Sequence, residues 1–375
     1  MNEISIRRLE QVMHEHVDSG VLPSCSAAIA HNDEVLWAAT AGPVSPTTRF
    51  AIFSAGKALV AAAVWRFVDD GVLTFDNRVR DVLPEFGRDG ATSAEMGRVT
   101  IAHLLAHSGG FSTAHLHPDK WGDAAQRRNA YASWSCLSEP GTEFAYHPVA
   151  AHWVLADILE CLAGVPFASV LHAHVTEPLG LSSAFASTPL GEMRRPIVVG
   201  AVPTDEAWRR SGMEPPQPEP AELAQPVDIV SLLSTDWAFI HGVPGGGGVT
   251  TPSELALFYQ ALLGADRGPW SANVLRKGTA EVVDNRHVVP FTSYPSNRTM
   301  GLILAGDDGF ARFRGFGGSE VSPRVFGHDG AGGQLAFADP DTGLSFVFAT
   351  DGHDLDFIRR SRRSGQLADA ALSCL

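Results

Sequence analysis

Two periods of apolar residues run along this chain. In MNEISIRRLEQVMHEHVDSG, Ile4, Leu9, Val12, Met13 and Val17 return near helical spacing, which predicts an amphipathic first helix. SCSAAIAHNDEVLWAAT then carries two apolar runs around His31-Asn32-Asp33, the pattern of a β-hairpin. PVSPTTRFAIF is extended and proline-punctuated, and it feeds RFAIFSAGKALVAAAVWRFVDDG, where helical signals take over. They dominate from about residue 58 to about residue 240. TIAHLLAHSGG reads as a Thr-capped helix stopped by glycines, and VAAHWVLADILECLAG as a helix with an apolar face and a Gly stop. PFASVLHAHVTEPLGL reads as a further helix ended before Pro178. Residues 212–227, GMEPPQPEPAELAQPV, read as a proline-rich surface loop. PGGGGVTTPSELALFYQALL is a glycine-rich approach to a capped helix, and its glycines suit a backbone that passes close to a pocket. Strand patterning returns in QLAFADPDTGLSFVFATDG, a hairpin around DPDTG, and the chain ends in a helix.

Strands therefore lie at the two ends and helices in the middle. The expected fold is of the α/β type, more strictly α+β: an antiparallel sheet built from both termini, flanked by helices, with a mostly helical insertion. The expected division is a discontinuous α/β domain, 1–65 with 240–375, and an inserted helical domain, 66–239, with a groove between them. No internal repeat is visible.

Composition narrows the class without naming a chemistry. At 375 residues, 45% of them hydrophobic and 19% charged, the chain can bury a sizeable core. A net charge of −14 and the lack of a long Lys/Arg run argue against a nucleic-acid partner. The basic cluster IRRSRR, 358–363, is expected to be the solvated face of a helix. The N-terminal segment has no uninterrupted apolar stretch of the kind a secretory signal needs, and no apolar run elsewhere reaches ~18 residues. Cys25, Cys136, Cys161 and Cys374 are too widely spaced for a disulfide framework or a zinc site. A cytoplasmic protein with no membrane span is the expectation.

One residue breaks the apolar pattern. Projected at ~100° per residue, Ser54, Lys57, Ala61, Val64 and Val68 share one stripe, while Arg66, Asp69 and Asp70 fall opposite. Lys57 is thus expected on the buried face, where an ammonium is costly and loses its proton readily. A neutral lysine one turn from a serine at a helix start can take the serine's proton, and free N–H groups there favour developing negative charge. The plainer alternative is a snorkelling lysine beside an N-capping serine, and an isolated S-x-x-K does not exclude it.

The surroundings do more. TTRFAIFSAGKALVAAAVWRFVDDGVLTFDNRVRDVLPEF, VTIAHLLAHSGGF and EPGTEFAYHPVAAHWVLADILECLAG follow in an order and spacing that resemble class C β-lactamase-related serine hydrolases, the group that includes family VIII carboxylesterases. The resemblance covers about residue 20 to about residue 350. It implies a β-lactamase/transpeptidase-like fold and an S-x-x-K nucleophile pair, Ser54 and Lys57. Tyr146 matches the family tyrosine that moves the serine's proton. The family asparagine two places on is Pro148, whose side chain cannot hold a substrate amide. His147 is a candidate polar contact. His328-Asp329-Gly330 resembles the H-x-G form of the third motif, which places all three at the substrate pocket. The backbone N–H of Ala331 is then expected to pair with that of Ser54 as the oxyanion hole. Asp329 would repel a substrate carboxylate, and with Pro148 this weighs against β-lactams and peptide C-termini.

An esterase acting on a small ester through an acyl-enzyme, without cofactor or metal, is the expected function. Acyl transfer to an alcohol or amine, a β-lactamase or D,D-peptidase, and a non-catalytic binding protein on the same fold are the alternatives. Rival sites within the chain are weaker. Ser108 in AHSGG lacks the strand-before, helix-after context of a nucleophile elbow. His103 and His107 lack the Glu of H-E-x-x-H and read as a capped structural pair; His115/His117 and His172/His174 have no Cys or carboxylate frame. PGGGGVTTPSE lacks the G-K-[ST] ending of a phosphate loop. Trp121, Trp134, Trp153 and Trp237 suggest an aromatic groove, though each alone suits a core.

Overall fold

The computed structural model describes residues 1–182, 193–212, 214–216, 228–288, 294–318 and 321–375. Asn2 caps the first helix, α1 (Glu3–Asp18), which buries Leu9, Val12 and Met13. The strands are β1 (Cys25–His31), β2 (Glu34–Ala41), β3 (Arg49–Ala51), β4 (Met193–Arg194), β5 (Ile197–Val199), β6 (Val249–Thr250), β7 (Ile303–Leu304), β8 (Phe326–Gly330), β9 (Gln334–Asp339), β10 (Leu344–Thr350) and β11 (Gly352–Asp354). Asn32 and Asp33 turn the first hairpin with φ of 51° and 64°, the left-handed pair that suits a two-residue β-turn.

Six strands form the main sheet in the order β2-β1-β10-β9-β8-β7. Every neighbouring pair in it is antiparallel. The register Cys25↔Thr350 through His31↔Leu344 welds the N-terminal hairpin onto the C-terminal one. The sheet thus comes from both ends of the chain, as the distribution of period-two runs predicts. The helix Phe357–Leu372 packs with α1 over one face, and Pro252–Ala261 lies on β1 and β10. A short sheet, β4-β3-β6, carries the chain into α2 (Lys57–Asp69). The core joins α2 to the apolar faces of Ala150–Ala163 and Pro252–Ala261.

Several expectations change. Ser54 is not on a continuous α-helix: Phe53–Gly56 is a 3₁₀ turn, and α2 starts at Lys57. The helix predicted to stop before Pro178 becomes α-helix at Phe167–Leu171, a π turn at His172–Thr176 and a 3₁₀ turn, Glu177–Leu179, that includes the proline. A proline in a first turn needs no N–H of its own, which is why the chain continues. The basic cluster is not a solvated face. Arg363 is buried and donates to Asp354 at 3.0 Å, Arg359 reaches the same carboxylate at 2.6 Å, and Arg362 alone of the four is exposed. A carboxylate at the end of β11, outside the main sheet, supplies the partner that charge patterning cannot see. Most of the proline-rich segment 212–227 lies outside the described residues. No single described helix is long and apolar enough to cross a membrane.

Candidate active site

Phe53 prepares the site. It is a buried, bulky residue held at φ 46°, a conformation that costs roughly 1–3 kcal/mol and persists where the surroundings enforce it. The Ile52 N–H donates to the Gly248 carbonyl at 2.9 Å just before it, and its ring meets the His353 ring edge-on at 6.1 Å. The chain reverses there into the 3₁₀ turn. Three residues per turn stack position i over i+3, so Ser54 faces Lys57 directly.

Lys57 is fully buried. Its Nζ lies 3.0 Å from Ser54 Oγ, 2.8 Å from the Pro148 carbonyl and 2.6 Å from the Gly245 carbonyl. Burial, helped by the Arg298 guanidinium, holds its pKa well below the ordinary lysine value. A neutral amine fits these three contacts: two N–H groups serve the carbonyls, and the lone pair faces the serine hydroxyl. Gly245 comes from the PGGGG run, with φ 74° and no room for a Cβ, which would sit 2.7 Å from the His152 ring. Those glycines do bring backbone to the site. Pro148, unable to offer a side-chain amide, contributes its carbonyl instead.

Tyr146 approaches from the other side, its hydroxyl donating to Ser54 Oγ at 2.9 Å. Burial raises its pKa to about 12, against the pull of Arg298 and the Ser54 hydrogen bond. The resting tyrosine is a phenol, and between it and Lys57 the amine is the available base. Nζ also sits 5.1 Å from the Tyr146 ring centre.

Ser54 and Tyr146 open onto a cavity of about 290 Å³, walled also by Phe144, Tyr294, Phe313, Phe357, Arg298, Asp329, Gly330 and Ala331. Gly330 runs so close to the nucleophile turn that a Cβ there would meet the Ile52 carbonyl at 2.4 Å. His147 and His328 depart from expectation, since neither lines the cavity. Side chains alternate along β8, so Asp329 facing the cavity turns His328 away. His147 is buried with its ring 4.5 Å from that of Phe111, and burial depresses its pKa to about 3. His328 is buried with Nε2 3.1 Å from Arg298 Nη1 and Nδ1 2.7 Å from the Asp329 carbonyl.

Arg298 is the residue sequence reasoning missed. Its guanidinium lies 5.4 Å and 5.5 Å from the Phe144 and Tyr146 ring centres. The surrounding SNRTMG carries no motif, and the residue reaches the site only through tertiary packing. It also alters the reading of Asp329, whose carboxylate now faces a buried cation across the cavity, so like-charge repulsion does not by itself exclude an anionic substrate.

The rival sites fall elsewhere. Ser108 is buried outside the cavity. His103 completes a capping box with Thr100, whereas His107 is buried beyond the helix end with φ 58°, so the two are not a pair. Trp121, Trp134 and Trp153 are core residues, Trp237 is exposed, and the cavity's aromatics are different ones. Among the described residues no group of His, Cys, Asp or Glu is placed to hold a metal ion.

The chain is 25% identical over 334 residues to Esterase/beta-lactamase LipL of Mycobacterium tuberculosis, covering 83% of this chain and 71% of that one. It is 29% identical over 236 residues to Esterase EstB of Burkholderia gladioli, covering 56% and 59%. The crystal structure of a family VIII carboxylesterase superposes with a TM-score of 0.76 at 20% identity, covering 99% of this chain and 98% of the other. The Beta-lactamase family model matches residues 9–369, nearly the whole chain, and the protein belongs to the Beta-lactamase family.

Proposed function

We propose that this protein is a serine hydrolase that cleaves carboxylic esters through an acyl-enzyme on Ser54. The observation that carries the reading is the placement of Ser54 Oγ between Lys57 Nζ at 3.0 Å and Tyr146 Oη at 2.9 Å. Ser54 attacks the ester carbonyl carbon as its proton passes to the neutral Lys57 amine. The carbonyl π pair moves onto oxygen, where the backbone N–H groups of Ser54 and Ala331 hold it, a contribution of about 3–4 kcal/mol per donor in other hydrolases. Collapse expels the alkoxide, which takes a proton from Tyr146, itself resupplied from Lys57. Water repeats the sequence on the acyl-serine and releases the acid. Every group in the cycle belongs to this chain. Ser54, Lys57 and the 328–331 segment come from 1–65 with 240–375, and Tyr146 from 66–239, so we place the site in the groove between two such domains.

The ester reading is preferred over the β-lactam one because Pro148 spends its carbonyl on Lys57 and presents no amide to a substrate. Of the two relatives, EstB is named an esterase alone and LipL an esterase and β-lactamase. Acyl transfer to an alcohol is the second reading, supported by the apolar lining from Phe144, Tyr294, Phe313 and Phe357, which suits a carbon-rich acceptor better than water. A fluorophosphonate should label the wild type and not Ser54→Ala, and p-nitrophenyl esters should turn over far faster than nitrocefin. Labelling that survives Ser54→Ala overturns the mechanism, and faster nitrocefin turnover overturns the substrate class. Product analysis with added alcohol separates hydrolysis from transfer.

A further inference from the structure

Tyr146 stands on chain that cannot hold itself. Residues 143–147 form neither helix nor strand. A phenol that must meet Ser54 Oγ at 2.9 Å therefore needs its backbone fixed from outside. His107 does this from both sides. Its carbonyl accepts the Ala145 N–H at 3.0 Å, and its ring Nδ1 accepts the His147 N–H at 3.2 Å. Between those two bonds the imidazole lies against the Tyr146 ring, centroids 4.5 Å apart and planes tilted by 39°. One residue thus grips the positions before and after Tyr146 and presses on the side chain between them.

The grip imposes requirements on His107 itself. To aim carbonyl and ring at the same segment it adopts φ 58°, a left-handed conformation uncommon for a residue with a side chain. To accept at Nδ1 the ring must be neutral with its proton on Nε2. Burial, reinforced by the Arg298 guanidinium, holds its pKa well below the ordinary histidine value, consistent with that state. Next door, the Ser108 carbonyl accepts the Gly141 N–H at 2.8 Å, so the two chain segments run side by side up to the clamp.

We propose that His107 is the positioning residue for Tyr146, setting the phenol at hydrogen-bond distance from Ser54 without touching substrate. The inference rests on the role assigned to Tyr146 above. Two substitutions divide the clamp. His107→Asn keeps an acceptor near the Nδ1 position and tolerates positive φ, but loses the ring that lies against Tyr146. His107→Phe keeps a ring and loses the acceptor. With a p-nitrophenyl ester, His107→Phe should lower kcat by about 10²-fold with KM changed by less than about threefold, the cost of a misplaced catalytic group. His107→Asn should stay within about fivefold of wild type, whatever its thermal stability. In a Tyr146→Phe background, His107→Phe should cost almost nothing further, because residues acting through one group are not additive. A full additional loss in that background overturns the proposal alone. So does a pair of variants whose activities follow their melting temperatures and not the acceptor. Undiminished activity of Tyr146→Phe overturns both this proposal and the role of Tyr146 on which it rests.

Discussion

At the residue scale the site is a question of which group is protonated. The same burial that pushes Tyr146 up to about 12 drives Lys57 well below the ordinary lysine value, so each is biased toward its uncharged form. The base works only as the free amine, which exists above its own pKa. Activity should therefore fall as pH drops through the depressed Lys57 value and hold on the alkaline side up to the Tyr146 range. A kcat/KM profile on a p-nitrophenyl ester that is still rising near about pH 10, where an ordinary lysine titrates, would sink that assignment. Lys57→Arg and Lys57→Met should be equally impaired, by about 10²–10⁴-fold, since a guanidinium has no lone pair to give at any accessible pH. Retained activity in the arginine variant would mean that only charge matters. Ser54, Lys57 and Tyr146 were readable in the sequence because each sits in a short motif. Arg298 was not, because what makes it part of the site is two rings and a histidine contributed by distant segments.

At the element scale, the site is the meeting of the 3₁₀ turn Phe53–Gly56 with the end of β8. Gln334, at the start of β9, braces the strand that leads into the turn, its Nε2 donating to the Ala51 carbonyl of β3 at 2.8 Å and to the Thr350 carbonyl of β10 at 3.0 Å. Gly330 sets the gap. In Gly330→Ala the new Cβ would meet the Ile52 carbonyl at 2.4 Å and Gln334 Cβ at 2.8 Å, neither of them a flexible side-chain end. The turn must move away from β8, taking Ser54 from the Ala331 N–H. Fluorophosphonate labelling should slow by about 10-fold or more while the far-ultraviolet circular dichroism stays native. An unchanged labelling rate would show that the approach is not needed. A helix period could place Ser54 and Lys57 together but not reveal the tighter turn, because Phe53's left-handed backbone is imposed by packing and not by its own preference.

At the scale of the whole molecule, the helical part holds a buried charge network whose members flank Tyr146 in sequence but do not line the cavity. Arg127 Nε donates to both Asp157 oxygens at 3.0 Å and 3.1 Å, and Tyr131 Oη donates to the same carboxylate at 2.6 Å. Asp157 is wholly buried, and Arg127 also reaches Glu160. Asp157→Asn should cost about 3 kcal/mol in urea unfolding, since breaking a buried pair leaves a cation partly uncompensated. The folded enzyme's kcat should not change. A fall in kcat at unchanged stability would instead couple the network to catalysis.

Local pattern was enough for the elements and for the pairing of Ser54 with Lys57: period-two runs at both ends, helical runs between, and a serine and a lysine three residues apart on one face. These are local properties, legible because side-chain direction follows backbone period. Tertiary structure decided what the period does not encode. It joined the two ends through β1 and β10, turned His147 and His328 out of the cavity, and brought Arg298 into it. It also lowered the Lys57 pKa, because the loss of solvent around an amine is a property of everything packed against it and not of the residues beside it in the chain.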